Sequence, residues 1–354
     1  MESLLNVDGF MFAAAVTIAL KLALVVVFFF TVPLGVGYME HKGLAHMQAR
    51  LGPMEAGRFH GIGQLPADGI KFLQKEDIIP ARADKWVFSL APGVAIIPVI
   101  VVLAVIPLGP GVFAEDLDAG LFFVLAVSSV SVIGVLMAAW SSANKYSLMG
   151  GIRAAAQLIA YELPLVLGAA AVALQAGTLS LAGIVMAQSE YELFGLIPMW
   201  YGLPHVIGLG LFFTASLAEL NRPPFDMPIA DSEIIFGHMT EYTGIRYAFF
   251  MLVEYAGMVI LSALTAVLFL GGWYPWPGFD FGWFDGLRYG EALGALVGVG
   301  ATSVKIAALA FIMIWFRATF PRLREDQLQR MSWLILIPVA LLNILIVAGA
   351  KVFS

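Results

Sequence analysis

Cysteine is absent from all 354 residues. That removes disulfides, thiolate nucleophiles, zinc–thiolate sites and iron–sulfur ligation at once. Any electrons that move in this system travel on cofactors held by other chains. Charge is scarce as well. Charged residues make up 12% of the chain and hydrophobic residues 60%, where a soluble domain carries roughly 25% and 45–50%. A compact soluble fold of this length cannot dress its surface with so few charges, so lipid must cover much of it. The net charge of −6 argues for no nucleic-acid partner.

Several chemical signatures are missing too. No G-x-G-x-x-G follows a strand-like run and no G-x-x-x-x-G-K-[ST] occurs, so no dinucleotide or ATP site is recognisable. The five histidines, His41, His46, His60, His205 and His238, form no H-E-x-x-H and no i,i+4 pair. Neither a metal site nor, in the absence of G-x-S-x-G, hydrolase chemistry finds support.

Long apolar runs are what the chain has instead. A spanning helix needs about 20 mostly apolar residues, and eight segments qualify: 10–38, 86–107, 120–140, 159–176, 204–220, 244–270, 293–316 and 333–350. The expected fold is an all-α polytopic membrane protein forming a single integral membrane domain over 1–354. The first segment lacks a basic leader and is too long for a signal core, so it reads as a retained span. The loops 39–85, 141–158, 221–246 and 317–332 hold 15 of the 19 Lys and Arg residues, whereas the opposite loops and tail hold only Arg288 and Lys351. The positive-inside rule then puts those four loops in the cytoplasm or matrix and both termini outside.

The outer loop 271–285, with Trp273, Tyr274, Trp276 and Trp283, reads as an interfacial aromatic belt. Gly290, Gly294 and Gly298 make one small-residue stripe for close helix packing. The inner loops are too long and too charged for simple connections. Within 39–85, the run Ala67-Asp68-Gly69-Ile70-Lys71-Phe72-Leu73 suits an amphipathic helix lying on the membrane face or a partner subunit. Together the four loops read as a docking platform.

Acids lie where lipid should be. Glu162, Glu219 and Glu254 fall in the fourth to sixth spans, and Asp226, Asp231, Glu233 and Glu241 lie between the last two. Carboxylates at membrane depth are costly and default to functional candidates. Glu233, Gly237 and Glu241 are spaced so that both acids would share one helical face. Arg153, Arg222 and Arg246 are candidates to hold some acids ionised. Lys21 and Lys305, both mid-span, must face a cavity, pair, or snorkel. Asn221-Arg222-Pro223-Pro224-Phe225-Asp226 cannot be regular helix, and irregular backbone beside a span is tolerated where it lines protein or a cavity. A carboxylate chain with interspersed arginine fits a buried proton relay better than simple ion pairing.

At these residues the chain resembles a family. The stretches that carry the likeness are Glu40-His41-Lys42 through Met47-Gln48-Ala49-Arg50-Leu51-Gly52-Pro53, with Ala67 to Lys71; Trp140 through Lys145 and Arg153 to Tyr161-Glu162; Ala218-Glu219-Leu220-Asn221-Arg222-Pro223-Pro224-Phe225-Asp226 through Glu241-Tyr242 to Glu254-Tyr255; and Arg317 through Pro321-Arg322-Leu323-Arg324 to Leu328. They are similar to the membrane-arm H subunits (ND-one type) of proton-pumping NADH:quinone oxidoreductases, respiratory complex I. Three departures stand out: His41 replaces a usual arginine, Ile229 and Asp231 replace two usual glutamates, and Ser332-Trp333-Leu334 lacks a usual lysine.

The resemblance implies an enzyme subunit without a redox cofactor of its own. Quinone is the substrate, while NADH, flavin and iron–sulfur clusters sit on partner subunits. It further implies that the inner loops enclose a quinone cavity with two peripheral subunits, near neighbouring membrane-arm subunits, and that His41, Arg50, Asp68, Arg153, Tyr161, Arg222, Phe225, Phe250 and Arg317 line or brace it. Glu162, Glu219, Asp226, Asp231, Glu233, Glu241 and Glu254 form the implied proton path. The expected location is a bacterial cytoplasmic membrane, with the mitochondrial inner membrane as alternative. Two other functions remain open: the homologous subunit of a membrane-bound hydrogenase or ferredoxin- or deazaflavin-driven complex, and, from another class, a stand-alone ion transporter. No internal repeat favours the transporter.

Overall fold

The computed structural model describes residues 2–57, 59–193, 197–284 and 289–353, with side chains described for these other than 2–15, 193, 231, 232 and 353. Among the described residues the chain is almost wholly helical, and the single sheet is a two-residue hairpin, β1 (Glu192–Leu193) with β2 (Ile197–Pro198). Among the described residues, seven helical segments are long and apolar enough to cross a membrane. They are α1 (Glu2–Met47), α3 (Lys85–Leu103), the pair α4 (Gly120–Ser129) and α5 (Ser131–Ser141), α6 (Lys145–Ala176), α10 (Gly244–Phe269), α11 (Gly290–Thr319), and α12 (Glu325–Met331) running into α13 (Ile337–Phe353).

The expected eighth span is α8 (Val206–Glu219), only 14 residues long. At 1.5 Å per residue it reaches about 21 Å, short of the roughly 30 Å hydrocarbon core. It stops where the Asn221–Pro224 stretch forbids helix. Because it packs against α6, α10 and α13, its irregular end is enclosed by protein and not by lipid.

Two spans are joined through local distortions. Between α4 and α5, the Ser128 and Ser129 hydroxyls donate to carbonyls three residues back, both at 2.9 Å, a pattern that competes with the helical ladder. Between α12 and α13, a π turn covers Ser332–Leu336, and the Ser332 hydroxyl donates to the carbonyl of Ala160 on α6. Such wide turns free side chains for contacts a straight helix would not make.

Helices extend further into the inner face than hydropathy implies. The expected loop 141–158 is mostly α6, begun by Asn144, whose side chain accepts the Tyr146 N–H as an N-cap should. Arg317 likewise lies in the last turn of α11. Hydropathy windows miss these turns because their polar residues lower the mean hydropathy although the backbone continues as helix. The amphipathic segment in the 39–85 loop is α2 (Gln64–Gln74), close to the expected place. A short helix, α7 (Leu181–Ser189), lies between α6 and α8 in the chain, and α9 (Asp231–Ile234) follows the break.

The core centres on α6, α8 and α10, where Tyr161, Leu165, Phe212 and Phe269 are fully buried. Close backbone approach occurs at Gly134 of α5, where a Cβ would meet the Ala95 nitrogen of α3 at 2.6 Å. The glycine stripe on α11 has a different use from the expected helix pairing. A Cβ on Gly298 would fall 2.4 Å from Pro110 and close to Trp273, so the stripe receives outer-loop side chains. Trp273 is accordingly buried and leaves the aromatic belt, whereas Trp276 and Trp283 stay exposed. Arg288 lies outside the described residues.

The mid-span lysines find carbonyl partners. Lys305 donates to the carbonyls of Leu270, Gly272 and Tyr274 at 2.5, 2.9 and 2.6 Å, with its ammonium 4.0 Å from the centre of the Trp200 ring. It thereby caps the end of α10. Lys351 does the same for α6 through Leu174 and Gln175, and Lys21 donates to Ala114. Replacing Lys305 by methionine leaves three carbonyls without their donor, an expected loss of about 2–4 kcal/mol. The same change at the exposed Lys351 is expected to cost under about 1 kcal/mol. Thermal denaturation midpoints of the detergent-solubilised variants check this contrast.

Candidate functional site

The site begins at the break after α8. Gln157 of α6, fully buried, donates through Nε2 to the carbonyls of Ala218 and Phe225 at 2.7 and 2.8 Å and to Asn221 Oδ1 at 3.1 Å. From the far side, Leu323 N–H donates to the Pro224 carbonyl at 3.0 Å, and Arg322 to that of Asp226 at 3.3 Å. The non-helical backbone thus keeps its polar groups paired. Its fixed shape aims Arg222 inward.

Arg222 is 1% exposed. Its NH1 lies 2.5 Å from Glu40 of α1 and its NH2 3.0 Å from Glu254 of α10, with the Tyr255 ring centre 4.9 Å from the guanidinium carbon. Glu40, 2% exposed, also accepts from Arg317 of α11. Burial alone would weaken the guanidinium's hold on its proton, but Glu254 and Glu40 more than offset this and keep it charged. Two arginines and two glutamates from α1, α10, α11 and the break therefore form one alternating cluster. Removing one partner from such a cluster strands a buried charge.

A cavity of about 130 Å³ opens beside it. A single water needs about 10–15 Å³ of such space, so several fit. The walls are mostly aliphatic, from α3, α4, α5 and α10, and they include Glu219, Glu254, Asn221, Ser128, Ser131, Phe250 and His238. Glu254 belongs both to the cavity and to the ion cluster. Glu162 of α6 lies close enough to Glu219 for their carboxylates to repel each other.

The remaining acids diverge. Glu233 and Glu241 do not share a helical face, because α9 ends at Ile234 and both Ile235 and Gly237 take positive φ. Glu233 is exposed and accepts from Arg153 at 2.6 Å, with Arg322 at 3.7 Å. The bond from Arg153 holds its carboxyl below the usual range. Glu241 accepts from Asn144 at 2.5 Å. Arg246 turns to Asp77, at 3.2 Å. Asp226 is partly buried at the break, and the Asp231 side chain lies outside the described residues.

The expected quinone-site residues also separate. Arg222 and Arg317 join the ion cluster, and Phe250 lines the cavity. Tyr161 and Phe225 are buried together, ring centres 5.4 Å apart, with the Tyr161 hydroxyl donating to the Leu328 carbonyl. Arg50 is exposed and donates to Gln48, while Asp68 accepts from Gln64 and Lys71 on α2. His41 is half-buried near the end of α1, and Arg153 bridges Glu233 and Glu325.

Glu40, Gln157 and His238 join the site although the sequence singles out none of them as a site residue; Glu40 enters there only within the Glu40-His41-Lys42 likeness. Glu40 stands one residue before His41 in the expected 39–85 loop, just past the first apolar run, so hydropathy alone does not mark it as buried. Histidine spacing tests only for metal ligation and is silent on His238. Gln157 carries no sequence signal beyond its place in an apolar stretch.

A family model described as NADH dehydrogenase matches residues 20–348 of the chain. The chain is 42% identical over 351 residues to the H subunit of NADH-quinone oxidoreductase from Anoxybacillus flavithermus, covering 99% of this chain and 98% of that protein. It is 45% identical over 312 residues to the H subunit from Bacillus mycoides, covering 88% and 87%, and 42% identical over the same length to the one from Geobacillus kaustophilus.

The cluster predicts strong energetic coupling between its members. Arg222→Gln is expected to destabilise the protein by about 3–5 kcal/mol. The double variant Arg222→Gln, Glu40→Gln should fall short of the summed single effects by about 1–3 kcal/mol. Denaturation midpoints of the four proteins in detergent close the cycle, and strict additivity would remove the pairing from the stability account.

Proposed function

We propose a mechanism from one premise: the chain belongs to the NADH dehydrogenase family and is an integral membrane subunit of the NADH-quinone oxidoreductase complex, complex I. In our reading it helps enclose the quinone headgroup at its inner face and passes the consequence of quinone reduction into the membrane. The observation that carries this reading is Glu254, which pairs with the Arg222–Glu40–Arg317 cluster on one side and lines the Glu219 cavity on the other.

Quinone becomes quinol by taking up two electrons and two protons. The electrons come from a cluster on a peripheral partner subunit, and the inner-face loops meet that subunit and a second peripheral one. Arg317 and Glu40 stand at the inner ends of α11 and α1, where a change of charge in the headgroup region is felt first. A negative charge there competes for Arg317 and Arg222. Arg222 is shared between Glu40 and Glu254, so a shift toward one carboxylate loosens the other. Glu254 then gains or gives a proton through cavity water to Glu219, and Glu162 extends the path across α6. The low-dielectric walls make each such charge movement costly unless a neighbour responds, which couples the steps.

The basic loops support a cytoplasmic cluster face in a bacterial cytoplasmic membrane, with both termini outside if α8 and the break that continues it are counted as an eighth crossing. The bacterial relatives, H subunits of NADH-quinone oxidoreductases, favour the quinone enzyme over a hydrogenase-type complex.

Glu219→Gln in the assembled complex is expected to lower quinone reductase activity and proton translocation by about tenfold or more. NADH oxidation by an artificial acceptor, which bypasses quinone, should be retained. Unchanged quinone reduction and pumping in both Glu219→Gln and Glu254→Gln would remove the carboxylate path from the mechanism.

A further inference from the structure

One polar group on the cavity wall has no role in the mechanism so far. His238 is the middle residue of a single 3-10 turn, Gly237–Met239, and is 4% exposed. Its Nδ1 is buried without a hydrogen-bond partner among the described residues. Buried polar atoms are rarely left so, and this ring borders a cavity with room for water. One ring edge rests on Phe250, centres 5.5 Å apart at 78°, which limits its rotation.

The backbone beneath it is held from two sides. A Cβ on Gly150 of α6 would lie 2.5 Å from the Gly237 Cα, and one on Gly237, at φ 53°, would lie 1.9 Å from the Pro228 carbonyl oxygen. Only glycine at both places lets the turn sit this close. The imidazole is therefore carried on a rigid, deeply seated support.

Its ionisable surroundings are few. On the cavity walls Glu219 and Glu254 are the other titratable groups, while α3, α4, α5 and α6 contribute aliphatic side chains and the Ser128 and Ser131 hydroxyls. Near the turn, Arg153 of α6 is engaged with Glu233 and Glu325, Glu241 with Asn144, and Arg246 of α10 with Asp77. The Tyr242 hydroxyl donates to the Phe88 carbonyl. Burial pushes the imidazole from its ordinary value down to about 4, so it rests neutral. A neutral imidazole holds one donor and one acceptor nitrogen. It can take a proton at one nitrogen and release one from the other, with no lasting charge in an apolar cavity.

We propose that His238 is a proton-relay residue of this cavity, exchanging protons through its two ring nitrogens with water held between the Glu219 and Glu254 carboxylates. The proposal rests on the carboxylate path set out above. Its proton balance is neutral: each proton accepted from cavity water on one side is matched by one returned on the other.

The test uses the assembled complex in proteoliposomes. His238→Ala is expected to retain NADH oxidation by an artificial acceptor and to lose about tenfold in quinone reduction and proton translocation. Added imidazole should restore at least half of the lost rate, and pyrazole, of the same shape but a much weaker base, should not. Equal rescue by pyrazole would assign His238 to packing, and wild-type rates in His238→Ala would remove it from the path. If His238→Ala does not assemble, His238→Gln keeps the bulk and hydrogen bonding without proton exchange. It should show the same loss, and wild-type rates there would overturn the proposal equally. Glu219→Gln measured in parallel separates the two ideas. An impaired Glu219→Gln beside a normal His238 variant rejects the histidine alone, whereas normal rates in Glu219→Gln reject the carboxylate reading beneath it.

Discussion

The Arg222 guanidinium, buried between Glu40 and Glu254, is the contact on which the inner half of the molecule depends. A charge placed there without partners would cost several kcal/mol, so α1, α10 and the break after α8 must come together for the protein to fold at all. Glu40 draws in α11 as well, through Arg317. Four segments far apart along the chain are thus tied by one alternating row of charges. The same row leaves Glu254 in contact with both the Arg222 guanidinium and the cavity, so the coupling we propose would use a contact the fold already makes.

The shortness of α8 is the second constraint. A helix that ended in lipid at that depth would expose unpaired carbonyls. Here Gln157, Leu323 and Arg322 meet the irregular backbone, and the space beyond the helix end becomes the cavity. The outer half solves the same problem by other means. Lys305 and Lys351 supply ammonium donors to the carbonyls at the ends of α10 and α6. Polar groups in this protein are few, and several of the described ones at depth close a helix end, tie helices, or line the cavity.

The separation of the acids gives the site a direction. Glu219 and Glu254 face the cavity, Glu162 stands near Glu219, and Glu233 is drawn to the surface by Arg153. An acid held ionised by an exposed arginine is suited to tethering loops. An acid in an aliphatic cavity is suited to exchanging protons. The difference lies in the neighbours and not in the residue type.

Much of this protein is legible from its residues alone. Scarce charge and long apolar runs require a membrane, the two prolines after Arg222 require a break, and acids within spans stand out as costly groups. Each of these follows from local chemistry, because hydropathy, backbone donors and desolvation belong to a short stretch of chain. What tertiary structure decided is pairing. Glu40 and Arg222 are 182 residues apart, and no spacing rule joins them. Glu233 and Glu241 have helical spacing, yet positive φ at Ile235 and Gly237 sends them apart. Lys305 resembles a buried charge awaiting an acid, and its partners are backbone carbonyls that carry no sequence signal. His238 looks like any core histidine until packing sets it in the wall of a cavity with its Nδ1 unpaired. Periodicity states which face of a helix a side chain occupies, but only the assembled helices determine what that face meets.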